Sequence, residues 1–282
     1  MSSRRHFLQN TLATALMARG TEAFVSADEP NAEQHNSPSE SHLDEMRRKM
    51  PEWFGSEQIA MLLYPQFTAL DIFGPHHMFI LMGGAKVHLV AESKDPVPTD
   101  SGVLVTPTCT LDECPKDLSA VFVPGGTTGT LKACENPAII AFLKDRGSRA
   151  SFVSSVCTGS LVLGAAGLLK GYQATSHWLC RDQLSLFGAT PVDQRVVIDR
   201  NRITGAGVTA GLDAGLQMVE QFRGKDYAQL SQLFAEYDPQ PPYDCGSDSK
   251  APKPMVDLLR TMHTSFSSEV KATAERVVID QE

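Results

Sequence analysis

Residues 150–178 constrain this chain more than any other stretch. Ser151-Phe152-Val153-Ser154-Ser155-Val156 is β-branched and aromatic enough for a buried strand, and residues 159–169 read as a buried helix closed by Gly171. Cys157 falls at the junction. A thiol at a strand-to-helix turn faces the first amides of the helix, whose unpaired N–H donors and positive dipole end favour the thiolate. The arrangement is the cysteine counterpart of the elbow that exposes a serine nucleophile, although Cys157-Thr158-Gly159 is not the hydrolase glycine pattern. The alternative is a buried, inert cysteine acting as a small hydrophobe.

Other segments repeat the strand-then-helix alternation. Residues 58–64 form a continuous apolar run ended by Pro65, as expected of a central strand covered on both faces. Residues 70–75 open a helix to about Met82, residues 86–91 are a second strand, and residues 102–105 are a shorter piece of a hairpin. Residues 120–126 form a buried strand running into the turn Pro124-Gly125-Gly126, and a helix over 137–146 leads to the Cys157 strand. Residues 195–198 and 202–204 pair around Asp199-Arg200-Asn201, and Gly205-Ala206-Gly207 opens a helix over 209–222. This order predicts an α/β fold with a mainly parallel sheet, helices on both faces and right-handed crossovers. Ligands bind beyond the carboxyl ends of such strands, where Asp71, Gly125-Gly126 and Cys157 converge.

The ends of the chain differ from this middle. Residues 1–27 carry Ser3-Arg4-Arg5-His6-Phe7-Leu8-Gln9, an apolar stretch and Val25-Ser26-Ala27, the pattern of a twin-arginine signal. They read either as that signal, with a periplasmic destination, or as a disordered cytoplasmic tail. Residues 28–56 are a polar linker with a short helix at 43–50, residues 57–224 are the domain, and residues 225–282 are a helical extension. In that extension Val256, Leu259, His263, Phe266, Val270, Ala274 and Val277 lie on one helical stripe, which must cover either this subunit or a partner chain. A net charge of −8 argues against nucleic acid as a partner, and no apolar run is long enough for a membrane span. The six cysteines show neither a C-x-x-C pair nor a disulfide framework, and the adjacent His76 and His77 lack metal-ligand spacing.

Several residues could carry chemistry. Asp71 is either a capping carboxylate at a helix start or a general acid/base whose pKa is raised by burial near the Cys157 sulfur. Gly125 and Gly126 form either an anion-stabilising pair of amides or a simple tight turn. Thr158 either offers a hydroxyl to the substrate or packs in the helix, and His177 either returns to the sulfur or packs beside Trp178.

Leu70-Asp71 with Gly74-Pro75-His76, Val123-Pro124-Gly125-Gly126-Thr127, and Ser155-Val156-Cys157-Thr158-Gly159-Ser160-Leu161 together resemble the DJ-1/PfpI (ThiJ-like, class I glutamine amidotransferase-like) superfamily. The likeness runs over about residues 58–246. Asp71, where many members carry a glutamate, together with Cys157-Thr158 is similar to the isonitrile hydratase branch. The resemblance implies a flavodoxin-like three-layer sandwich, a homodimer, and no metal or organic cofactor. It implies a lyase that adds water to an isocyanide, a small-molecule substrate, giving an N-substituted formamide through a Cys157 thioimidate. Cys157 would be the nucleophile, Asp71 the acid and Thr158 the assisting residue, with Gly125, Gly126 and His177 binding substrate. Two departures stand out: Ala206 replaces a family glycine, and Phe73 is bulkier than the residue expected beside Asp71. A non-catalytic ligand-sensing domain and a deglycase or amidase are the competing readings of the same superfamily.

Overall fold

The computed structural model describes residues 40–279. The twin-arginine segment 1–27 and the first part of the linker, 28–39, lie outside the described residues. In chain order the elements are α1 (Glu40–Lys49), β1 (Gln58–Leu62), α2 (Ala69–Ile80), β2 (Lys86–Ala91), β3 (Val97–Pro98), β4 (Leu104–Val105), β5 (Cys109–Thr110) and β6 (Ala120–Val123). Then follow α3 (Thr128–Glu135), α4 (Pro137–Arg149), β7 (Phe152–Val156), α5 (Gly159–Ala165), β8 (Gln173–Ala174), β9 (Thr190–Pro191), β10 (Val196–Asp199) and β11 (Arg202–Gly205). Last come α6 (Ala210–Arg223), α7 (Lys225–Phe234), α8 (Lys253–Met262) and α9 (Thr264–Ile279).

Seven strands form the main sheet in the order β10-β11-β7-β6-β1-β2-β5. All pairings are parallel except β10 with β11, the antiparallel pair anticipated around Arg200. β1 and β6 are buried along almost their whole length, so both faces must be covered, and their sequences contain no alternation of apolar and polar residues. α2 and α6 pack together on one face, and α3, α4 and α5 cover the other. Phe79 from α2 meets Phe122 from β6 edge-on, with ring centroids 5.9 Å apart. The chain passes from β1 to β2 on one side and returns to β6 on the other. This reversal opens a crevice at the carboxyl ends of β1 and β6.

Three expectations need correction. The helix after Cys157 stops at Ala165, because Gly167 at φ +74° already turns the chain out of it, four residues before Gly171. The stretch before residue 57 is not wholly linker: Trp53 packs against the core, its ring edge-on to Tyr227 at 5.6 Å. The C-terminal stripe is broken into two helices at His263. There the His263 Nδ1–H donates to the Leu259 carbonyl (2.9 Å) and the Thr264 hydroxyl to that of Arg260 (3.1 Å), capping α8 from the two residues that follow it. α9 then covers its own subunit, with Val270 and Ala274 buried against α3 and α5.

Candidate active site

Four turns meet beyond the carboxyl ends of β1, β6, β7 and β11. Cys157 ends β7 in the left-handed region at φ +56°, an uncommon conformation for a residue with a side chain. Its own N–H donates to the carbonyls of Ala206 (2.6 Å) and Gly205 (3.2 Å), and its carbonyl accepts from the hydroxyls of Ser176 (3.0 Å) and Ser160 (3.2 Å). The elbow therefore depends on contacts from three separate segments. It also needs bare backbone beside it: a Cβ on Gly125 would lie 2.6 Å from the Thr158 nitrogen and 2.8 Å from the Cys157 Cβ.

Asp71 lies in the first turn of α2 and is fully buried. It does not cap the helix. Its Oδ2 instead accepts the Gly125 N–H at 2.8 Å, and the Cys157 thiol is a second hydrogen-bonding neighbour. Burial raises the Asp71 carboxyl from 3.8 to about 7, against the opposing pull of those two donors. Burial, then the nearby Asp71 carboxyl, pushes the Cys157 thiol well above its usual range. The Thr158 and Val208 backbone N–H groups pull it the other way. The thiolate that the helix terminus favours is thus opposed by burial and by the neighbouring acid. α5 has only seven residues, and its terminal amide is outweighed by desolvation and by a neighbouring acid.

The two glycine amides are not available to an anion. The Gly125 N–H is held by Asp71, and the Gly126 N–H donates to Thr158 Oγ1 at 3.0 Å. The Thr158 hydroxyl is likewise engaged within the protein, donating to the Gly126 carbonyl (2.9 Å) and lying 2.7 Å from the Thr130 hydroxyl. Thr130 in turn meets Tyr64, whose hydroxyl donates to the Pro124 carbonyl at 2.6 Å. What Thr158 presents to the sulfur is its backbone N–H.

Cys157 lies at a cavity of about 160 Å³ shared with Thr158, Gly126, His177, Val208 and Phe266. Asp71 does not line it and lies behind the sulfur, so Cys157 stands between the carboxyl and the cavity. The His177 Nδ1 accepts the Leu179 N–H at 3.3 Å, which leaves its proton on Nε2. Burial and then the nearby His263 lower the His177 pKa, against Asp248, keeping the ring neutral. Phe73 is exposed and stands apart from the cavity, and Ala206 acts through its carbonyl. Among the described residues no group of three His, Cys, Asp or Glu side chains could hold a metal ion, and no helix is long and apolar enough to cross a membrane.

A model of the DJ-1/PfpI family matches residues 57–221. The chain belongs to the DJ-1/PfpI family. Like other members it has the flavodoxin-like arrangement of a mostly parallel sheet flanked by helices, here with added C-terminal helices. It is 45% identical to an isonitrile hydratase of Pseudomonas putida over 203 residues, which span 72% of this chain and 88% of that protein. A solved ThiJ/PfpI family protein from Pseudomonas syringae superposes with a TM-score of 0.79 at 51% identity, covering 85% of this chain and 98% of that one. A deglycase from Thermococcus kodakarensis is 28% identical over 148 residues, 52% of this chain and 88% of that protein.

In this DJ-1/PfpI chain Asp71, Gly125, Gly126, Cys157, Thr158 and His177 all gather at one rim, either lining the cavity or directly behind it. Sequence reasoning passed over Tyr64, Thr130, Ser176 and Val208. Only Val208 carried a signal, since the Gly205-Ala206-Gly207 turn that delivers it was read as a helix opening. His263 and Phe266 were placed on the tail stripe, but nothing in their spacing tied them to Cys157.

Proposed function

We propose that this protein is an isonitrile hydratase, adding water to an isocyanide to release an N-substituted formamide. The observation that carries the mechanism is the buried Asp71 carboxyl set against the Cys157 sulfur at a small cavity. The 45% identity to the Pseudomonas putida enzyme supplies the substrate class.

In the active state the pair holds one proton, shared between sulfur and carboxyl. That proton moves to the isocyanide carbon as the Cys157 sulfur bonds to the same carbon, leaving a thioimidate and the Asp71 carboxylate. Water then adds across the C=N bond, oxygen to carbon and hydrogen to nitrogen. The C–S bond breaks as the added hydroxyl becomes the formamide carbonyl, and its proton returns to the Cys157–Asp71 pair. The Thr158 and Val208 N–H groups steady the negative charge on sulfur whenever it is exposed, and the Tyr64–Thr130 network holds Thr158 in place.

The test is formamide release from an aliphatic isocyanide by the intact protein and by Cys157→Ala, with mass spectrometry of trapped Cys157 adducts. Product from the parent alone, with a thioimidate mass on Cys157, is the expected result. A fully reduced protein that turns over no isocyanide would remove this activity in favour of another family chemistry. The proposal extends to a homodimer, checked by sedimentation equilibrium, and to export directed by residues 1–27. For the latter, replacing both Arg4 and Arg5 with lysine should retain the protein in the cytoplasm.

A further inference from the structure

We infer that the C-terminal extension closes the substrate cavity, and that Phe266 and His263 restrict the isocyanide to compact alkyl or single-ring substituents. The inference rests on the hydratase reading for the identity of the substrate, but the wall itself is a matter of geometry.

Phe266 and His263 line the Cys157 cavity from outside the segment matched by the family model, which ends at residue 221. Phe266, Leu179 and Val208 give the cavity an apolar part in front of a floor that holds Cys157 and Thr158, while Thr68, Asp100 and Thr127 form a polar part of its lining. An isocyanide fits this division, with its reactive carbon at the floor and its substituent against the wall. The volume of about 160 Å³ sets the scale. A cavity of roughly 150 Å³ accommodates one benzene ring, so the space beside Phe266 favours a single six-membered ring over a fused bicycle.

His263 has a second position of consequence. It also lines an outer groove of about 400 Å³, whose other residues include Asp182, Arg260 and Lys271. Residues that border both spaces lie between them, so His263, together with Leu179, separates the cavity from the outer groove. The helix break at His263 is what sets this side chain there, and its Nδ1–H bond to Leu259 fixes the ring.

The wall is anchored rather than draped. Gln183 Nε2 donates to the Ser267 carbonyl (2.7 Å) and lies 2.8 Å from its hydroxyl, next to Phe266. Arg260 stacks over the Trp178 ring at 5.7 Å and pairs with Asp248 at 3.8 Å, and Asp248 is also bonded to Arg181 at 3.5 Å. Val270 and Ala274 are buried one and two turns further on. These contacts give a wall with one position, and hence a size limit.

The experiment compares kcat/KM for butyl, cyclohexyl, 2-naphthyl and dodecyl isocyanides in the full-length parent, Phe266→Ala, Phe266→Leu and His263→Ala. In parallel, the rates at which iodoacetamide and a naphthyl-sized maleimide alkylate Cys157 are measured by mass spectrometry. Phe266→Ala should raise the naphthyl-to-cyclohexyl ratio by about tenfold, with Phe266→Leu moving it less in the same direction. His263→Ala should raise the dodecyl-to-butyl ratio by opening the cavity into the groove. Unchanged ratios in folded variants, with the parent turning over isocyanide, overturn the inference. If no form hydrates any isocyanide, the hydratase reading falls, and the maleimide-to-iodoacetamide ratio decides the wall: a rise in Phe266→Ala supports it and a constant value overturns it. Should Phe266→Ala not fold, Phe266→Leu and His263→Ala carry the same decision.

Discussion

Burial raises both members of the Asp71–Cys157 pair, and the consequences for pH run in two directions. For turnover, a pair holding two protons has no base to receive the proton of water. The kcat/KM should therefore climb with pH and level off near the Asp71 value of about 7, as read in a pH–rate profile. Asp71→Asn should lower kcat by about 10²–10⁴ and erase that limb. For folding, the sign is opposite. The unfolded chain loses the Asp71 proton near 3.8, whereas the folded protein keeps it until about 7. The stability associated with this group is complete below 3.8 and is lost as pH rises to about 7, at a slope of up to ~1.4 kcal/mol per pH unit. Thermal melts across that range should show the decline in the parent and a flatter profile in Asp71→Asn. Gly125→Ala tests the tight approach of the Pro124-Gly125-Gly126 turn. With its Cβ 2.6 Å from the Thr158 nitrogen, it should destabilise the fold by about 1–3 kcal/mol in denaturant titrations and displace Cys157. The types of these residues were legible in the chain itself: an apolar strand delivering cysteine, a carboxylate at a strand end, a glycine pair. Their protonation was not, because it depends on how deeply the neighbouring elements bury them.

At the scale of elements, the apolar runs of β1, β6 and β7 declared strands because they are covered on both faces, and the antiparallel β10–β11 pair was legible around Arg200. Boundaries were less so. The small apolar residues after Cys157 continue past Ala165, and only the backbone angle at Gly167 ends the helix there. The C-terminal stripe showed a helix with something to cover. Its division at His263 was hidden, since hydrogen bonds from His263 and Thr264 to preceding carbonyls do not alter apolar spacing. Docking of α9 is open to a direct test. Val270→Asp places a carboxylate where Val270 is 1% exposed, which should release α9, raise hydrogen exchange across residues 264–279 and accelerate alkylation of Cys157.

Across the whole molecule, the strand order was beyond the reach of local patterns, yet it is what brings the turns after β1, β6, β7 and β11 to one rim. The opposite end of the sheet is tied by an ion pair between Glu57, just before β1, and Arg223, at the end of α6, where Arg223 also donates to the Gly83 carbonyl at 3.3 Å. The Arg223 side chain is 4% exposed, so Glu57→Gln would leave a guanidinium desolvated without its countercharge. A loss of roughly 3–5 kcal/mol in equilibrium unfolding is expected, with the Cys157 end unaltered in its alkylation rate.

His263 and Phe266 follow Cys157 by more than a hundred residues, so a ribosome makes the sulfur long before the side chains that enclose it. A nascent or prematurely terminated polypeptide would expose its sulfur to peroxide before any size filter existed, and sulfenic or sulfinic acid would mark it. Synthesis and docking of the segment that carries Phe266 thus become a condition for chemical survival of the nucleophile as well as for selectivity.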